Sequence, residues 1–312
     1  MIQIATRNSA LAKAQAGQVA ELLGGAELVT VSSDGEPGDK ARFVRGVERA
    51  LLAGEADIGV HSAKDVPAEM PEGLAIAAVP AREDPADVWI GVGESFDEVP
   101  GGARVGTASL RRRAQLLAAR PDLEVSELHG NVDTRLRKLG EGDFDAIVLA
   151  AAGLRRLGRE GEASFALPEE AMTPAAGQGA LILQVRADDD AAMKAAAGIG
   201  DETARRELTA ERAVVALLEA TCATPIGVHA RVGIPADDAR RAGSPLAAER
   251  ADSISLAVEA FVGLPDGSEW IRDRIEGTAN SPGEAGAVLA ERLLTAGARE
   301  ILDRAESWTE SV

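Results

Sequence analysis

From residue 2 to about residue 185, short apolar runs alternate with segments of helical period. That alternation restricts the first two thirds of the chain to an α/β architecture. Residues 2–5, 28–31, 58–60 and 74–79 read as strands, with helices over 10–23 and 43–52. Ser9 stands where a helix N-cap is needed. Pro100, Gly101 and Gly102 then punctuate the chain, and a second unit of the same kind follows. It has a strand at Val105, a helix over 109–119, a strand over 123–128, a helix over 132–139 and a buried strand over 146–149. One more apolar run, 181–185, is able to return the chain to the first unit. Beyond it, a helix over 202–219, strands at 228–232, 255–262 and 270–275, and a helix over 283–296 describe a small α+β domain. The expected division is 1–82 with 180–198, then 83–179, then 199–312.

A chain of 312 residues exceeds one ordinary core, in keeping with that division. Aromatic residues make up only 3% and Tyr is absent, so the cores must be built from Ala, Val, Leu and Ile, and base stacking is an unsuitable means of recognition. The net charge of -18 lacks the basic footprint of a nucleic-acid binder. Yet residues 101–160 hold 11 Lys and Arg against 8 Asp and Glu, a net of +3. A cationic island in an acidic chain suggests an anion site; a set of solvated helix faces is the alternative. The start Met-Ile-Gln-Ile-Ala-Thr-Arg does not read as a signal peptide. No run approaches the roughly 18 apolar residues that cross a bilayer. One cysteine cannot close a disulfide within the chain. These features lead to an expectation of a cytoplasmic protein with no membrane partner.

Five segments carry the candidate chemistry. His61-Ser62-Ala63-Lys64-Asp65-Val66-Pro67 lies just past a strand, where open α/β sheets bind ligands. An Asp there can stabilise a developing cation or handle protons, or the segment is a solvated turn. Gly106-Thr107-Ala108-Ser109-Leu110-Arg111-Arg112-Arg113 puts arginines at a helix start, suited to gripping carboxylates. Three consecutive arginines cannot share one face, so one of them is expected to face solvent. His129-Gly130-Asn131-Val132-Asp133-Thr134-Arg135 and Ala151-Ala152-Gly153-Leu154-Arg155-Arg156 are two further strand ends that deliver arginine. Their recurrence fits a cleft for several carboxylates. Cys222 follows the 202–219 helix in a loop-like segment; a lone cysteine is otherwise a small buried hydrophobe. The three histidines and one cysteine have no spacing for zinc, and no metal is expected.

Taken in order, these segments resemble the hydroxymethylbilane synthase (porphobilinogen deaminase) family. The resemblance runs from Ile4-Ala5-Thr6-Arg7-Asn8-Ser9 to Gly297-Ala298-Arg299-Glu300-Ile301-Leu302. It includes HSAKDVP from His61, GTASLRRRAQL from Gly106, GNVDTRL from Gly130, LAAAGLRRLG from Leu149, PAAGQGAL from Pro174 and the segment from Cys222 to Gly227. It implies two α/β domains of the periplasmic-binding-protein kind around a cleft, plus a small α+β C-terminal domain. It implies a dipyrromethane cofactor joined through a thioether to Cys222. The implied reaction joins four porphobilinogen molecules head to tail on that primer, releases ammonia each time, and frees hydroxymethylbilane by hydrolysis. Asp65 takes the catalytic position by matching the family motif, stabilising the electron-poor azafulvene that loss of ammonia leaves. Lys64, Ser109, Arg111, Arg112 and Arg135 match cofactor ligands. Arg7, Ser9, Arg156, His129, Phe43 and Lys40 match substrate ligands. Gln178 matches a family glutamine near the hinge, with no role assigned. The expected partner is the small substrate alone, and the expected state a monomer.

The chain departs from the family pattern in places. His129 stands where the family has arginine, and holds a carboxylate only when protonated. Ala108 replaces a hydroxyl residue, Ala220-Thr221 replaces Gly-Gly before the cysteine, and the 32–42 loop is short. A non-enzymatic anion-binding protein and a low-activity paralogue are the competing readings.

Overall fold

A computed structural model describes residues 1–32, 42–221, 224–233 and 254–309, without the side chains of 42, 43 and 309. The first sheet contains β1 (Gln3–Arg7), β2 (Glu27–Val31), β3 (Ile58–Ser62), β4 (Leu74–Ala78) and β10 (Leu181–Arg186), in the order β2-β1-β3-β10-β4. β1 pairs in parallel with β2 and β3, whereas β10 runs antiparallel between β3 and β4. The second sheet contains β5 (Asp87–Gly91), β6 (Arg104–Gly106), β7 (Glu124–Ser126), β8 (Ala146–Ala150) and β9 (Phe165–Ala166), in the order β7-β6-β8-β5-β9. β6 is parallel to β7 and β8, and β5 is antiparallel to β8 and β9. The two sheets therefore share one plan. In each, a parallel trio is followed by one antiparallel strand and an edge strand. The antiparallel strand is the one that has just crossed from the other sheet. Residues 79–86 make the first crossing and 167–180 the second.

Strand sequence explains why both sheets are covered on two faces. In β5, Trp89 points to one side with Val105, Val125 and Val148, against Leu116. Val88 and Ile90 point to the other, against Leu136 and Leu154. Such all-apolar runs suit strands buried on both faces. In the first sheet, Ile4, Ile58, Val60 and Leu183 meet α1 (Ala10–Leu22) and α6 (Asp190–Ala197) through Ala16, Val19, Ala192 and Ala196. α2 (Arg42–Leu52) packs Val47 and Leu51 on the opposite face. Helix starts are fixed by side chains: Ser9, Asp189 and Asp201 each accept the amide three residues on.

The third unit starts with α7 (Glu202–Leu217), then an antiparallel sheet of β11 (Ile226–Gly233), β12 (Ser255–Gly263) and β13 (Trp270–Thr278), then α8 (Pro282–Thr295) and α9 (Ala298–Thr309). Its core joins Val228, Val258 and Val262 to Val214, Leu289, Leu293 and Ile301. Mixed α/β structure in two sheet-and-helix units around a cleft, with a small α+β unit behind, is the expected fold class. The helix at Ala298–Thr309 and the strand at Asp87–Gly91 were not expected from sequence.

α7 ends in a strained way. Glu219 is the one non-glycine residue with positive φ among those described, at 52°. Its amide returns to Ala216 and that of Ala220 to Val215, closing the helix end. A side chain there costs about 1 kcal/mol, which glycine avoids. Glu219→Gly is therefore expected to stabilise the chain by about 0.5–1 kcal/mol in urea unfolding, the exposed contact with Arg299 being worth little. Destabilisation would show that the turn is relaxed.

Candidate active site

The carboxyl ends of five strands surround one cleft of about 300 Å³. β1 ends at Arg7, and Ser9 caps α1 immediately after it. β3 ends at Ser62 and passes into a single 3-10 turn, Ala63–Asp65, which presents Lys64 and Asp65. From the second sheet, β6 leads to α3 (Leu110–Ala119), β7 to α4 (Val132–Gly140) and β8 to α5 (Ala151–Arg156). These deliver Arg112, Arg135 and Arg156, one arginine from each of the three clusters. Asn131 caps α4, and the starts of α1 and α4 both line the cleft, adding amide dipoles that favour anions. A side annex of about 80 Å³ extends past Arg7, Ser9, Lys64 and Asp65 to His61 and Gln15.

Three of the cleft cations, Lys64, Arg135 and Arg156, are held at a desolvation cost. Burial, and then Arg112, lower the Arg135 guanidinium to a pKa of about 10; its Nε donates to the Gly130 carbonyl at 2.9 Å. Burial lowers Arg156 as well. Its Nη2 donates to the Gly179 carbonyl at 2.7 Å, while its buried Nε has no acceptor. Lys64 is lowered to about 8 by burial and then by Arg112, and its Nζ donates to Gln178 Oε1 at 3.3 Å. Against these stand Asp65 and Asp133 on the cleft wall, the latter held at 2.6 Å by Arg159, with Asp87 acting on Lys64 and Glu83 on Arg156. His61 behaves differently. Burial lowers it to about 4, so it is neutral, and its Nε2 lies 3.0 Å from Gln184 Oε1.

Not every expected residue reaches this cleft. Arg111 and Arg112 are both buried on Asp87. Arg111 gives Nη1 to Asp87 Oδ2 and to the Thr173 carbonyl, both at 2.7 Å, and is not among the lining residues. Ser109 serves as the α3 N-cap, with Arg112 N 3.4 Å from its Oγ, and does not line the cleft either. The expectation that one of the three consecutive arginines faces solvent is wrong. None is exposed, because Arg113 also finds an internal acceptor, the Val125 carbonyl. His129 turns outward, its Nε2 2.7 Å from Glu127 Oε2 on an exposed surface. Such a pair is worth about 1 kcal/mol at most. With its ring outside the cleft lining, His129→Ala is expected to change kcat/KM less than about fivefold, under about 1 kcal/mol of transition-state binding; a loss well beyond that would put His129 in contact with substrate. Phe43 has its backbone in α2, while its side chain, Lys40 and Cys222 lie outside the described residues.

Gln15, Asp87, Asp133 and Glu211 are not among the residues expected from the sequence. Gln15 and Glu211 each had a signal, since each is a polar residue on the buried stripe of its helix. The PAAGQGAL motif also acquires a physical reason. Gly177 and Gly179 have φ of 74° and 86°. A Cβ at Gly177 would lie 2.8 Å from that of Ala63, and one at Gly179 would lie 2.2 Å from the Glu83 carbonyl oxygen. Only glycine lets the second crossing pack on the first and on the Lys64 turn.

Residues 2–194 match the family described as porphobilinogen deaminase, dipyromethane cofactor binding domain, and residues 205–295 match the porphobilinogen deaminase C-terminal domain. A porphobilinogen deaminase of Syntrophus aciditrophicus is 41% identical, covering 98% of this chain and 99% of its own. One from Brevibacillus brevis is 40% identical over 96% of each. Among solved structures, a TRAP periplasmic solute binding protein from Desulfovibrio salexigens overlaps with a TM-score of 0.40 and 12% identity, covering 65% of this chain and 73% of that one. At that distance the strand orders, not the overlap, define the fold. The two family domains and the near full-length relatives place the chain in the porphobilinogen deaminase family.

Proposed function

We propose that this chain is a hydroxymethylbilane synthase that joins four porphobilinogen molecules into a linear tetrapyrrole in the cleft between its two sheets. The observation that carries the reading is the charge balance there. Arg7, Lys64, Arg112, Arg135 and Arg156 line the cleft, and the buried Nε of Arg156 has no acceptor. Dipyrromethane and the growing chain carry an acetate and a propionate on every pyrrole ring. Each carboxylate that meets Lys64, Arg135 or Arg156 supplies counter-charge to a cation held at a desolvation cost. The residues present therefore fit the cofactor. Arg112 and Arg135 would hold its carboxylates from the second sheet, with Lys64 from the first. Arg7, Ser9 and Arg156 would hold those of the substrate. Bound dipyrromethane supplies the nucleophilic pyrrole carbon onto which the first unit is joined.

In each condensation the aminomethyl carbon of porphobilinogen loses its bond to nitrogen and gains one to the free α-carbon of the terminal pyrrole of the chain. The displaced ring proton and the amine leave as ammonia. Positive charge develops on the incoming pyrrole as the C–N bond breaks. Asp65, presented at the cleft wall by the 3-10 turn, accepts the pyrrole N–H and stabilises that charge. The cleft arginines orient both partners, and water adds only at release, giving the terminal hydroxymethyl group. Cys222 is assigned as the thioether anchor on its place in the family motif. The division into 1–82 with 180–198, 83–179 and 199–312 belongs to the same proposal. So does a monomer working in the cytoplasm. No described helix is long and apolar enough to cross a membrane.

Incubation with porphobilinogen tests the activity. Ammonia and linear tetrapyrrole should appear in a ratio of four to one. Binding of porphobilinogen without ammonia release would favour a non-enzymatic anion-binding protein instead.

A further inference from the structure

Gln178 has no role in the reaction outlined above, yet it is wholly buried and bonded on both sides of its amide. Its Nε2 donates to the Pro85 carbonyl at 2.6 Å and to Asp87 Oδ1 at 3.0 Å. Both partners are acceptors only, so the amide orientation is fixed and Oε1 must face the other way. There it accepts Lys64 Nζ at 3.3 Å, with Arg111 Nη2 3.5 Å away. Asp87, also buried, accepts Arg111 Nη1 at 2.7 Å and Arg112 Nε and Nη2 at 3.0 and 2.7 Å. Pro85 belongs to the first crossing between the sheets, which Asp87 ends, and Gln178 to the second. One carboxylate and one amide, from the two crossings, thus stand behind two cations of the cleft wall, Lys64 and Arg112.

We infer that Asp87 and Gln178 are positioning residues for this reaction: they fix the Lys64 ammonium and the Arg112 guanidinium at the cleft wall, and Asp87 sets how many positive charges the wall presents. The inference rests on the function proposed above. Its electrostatics follow from the neighbours of Lys64. Arg111 and Arg112 on α3 oppose its charge, and Asp65 on its own turn and Asp87 on β5 support it. Arg7 and Arg135 share the cleft, and the adjacent His61 is neutral. Three cations around one carboxylate leave no surplus of negative charge. If Asp87 is neutralised, Arg111 and Arg112 face Lys64 uncompensated, and Lys64 gives up its proton at lower pH. The cleft then presents one cation fewer to the incoming carboxylates near neutrality. Removing the Gln178 oxygen takes away the acceptor of the ammonium and acts in the same direction, less strongly.

Reductive methylation of Lys64 across a pH series, read by peptide mapping, reports its protonation whether or not the chain turns over. Asp87→Asn is expected to lower the midpoint by about one unit or more, and Gln178→Met by a smaller step. The alkaline limb of kcat/KM for porphobilinogen should shift downward in the same order. Because labelling needs no turnover, failure of the proposed activity would leave the first readout standing. Folded variants whose labelling midpoint and alkaline limb both stay in place would overturn the inference, leaving the pair a purely structural role. If Asp87→Asn does not fold, the Gln178→Met midpoint decides alone.

Discussion

Asp65→Asn is expected to keep the covalent two-pyrrole adduct while losing about 100- to 1000-fold in turnover. Asp65 lies at the cleft wall beside Lys64, on a turn fixed by the Val66 amide bond to the Ala63 carbonyl. Asparagine keeps the size and the hydrogen-bonding oxygen. What it lacks is charge, and charge is what a developing pyrrole cation needs. In the proposed assignment substrate carboxylates are held by Arg7, Ser9 and Arg156, so KM should move only a few-fold. The checks are a steady-state assay and an intact mass on the same preparation. Near-normal turnover would remove Asp65 from the chemistry; loss of the adduct would move its role to cofactor attachment.

Glu211→Gln is expected to cost about 3–5 kcal/mol of stability, the range for breaking a buried ion pair. Glu211 is fully buried on α7 and holds three parts of the molecule together. Its Oε1 accepts Arg82 Nη1 and the Ala230 amide, both at 2.8 Å, and its Oε2 accepts the Gly177 amide at 2.6 Å. Arg82 lies in the first crossing, Gly177 in the second and Ala230 in the third unit. Glutamine in either orientation points an NH2 group at donors and leaves Arg82 with only the longer Glu207 contact, at 3.3 Å. The same contacts give a pH dependence. Burial works against the charged form, but Arg82 and then His229 outweigh it and hold Glu211 below the ordinary carboxylate range. Its stabilisation is therefore complete above the unfolded pKa of about 4.5 and is lost as pH falls through the folded value. Denaturant unfolding across pH 2–6 checks both. A variant as stable as the parent, with the same acid limb, would show that the crossings hold without this carboxylate.

Much of this was legible in the sequence, for identifiable reasons. The alternation of apolar runs with helical period exposed most of the strands and helices, because a strand buried on both faces needs a continuous apolar run. Capping residues such as Ser9 and Asn131 marked helix starts through local chemistry. Strand-end arginines pointed to the cleft because open α/β sheets place ligands there. Buried polar contacts between distant residues were not legible. Asp87 reads as an ordinary acid before an apolar strand, yet it neutralises two arginines 24 and 25 residues away. Nothing in the run of three arginines says that a buried carboxylate lies within reach, so one was expected in solvent. His129 lies outside the cleft lining for a related reason. Motif position does not say which way a side chain turns, and Glu127 draws it outward. Gln15 and Glu211 were the recoverable cases, since a polar residue on a buried helical stripe requires a partner.

The central claim is that this chain builds and keeps a pyrrole primer on Cys222. Intact mass after incubation with porphobilinogen tests it most directly. The parent chain should carry the added mass of two pyrrole units, further units should add as intermediates, and Cys222→Ser should carry none. An unmodified parent chain, or an adduct that survives Cys222→Ser, would contradict it.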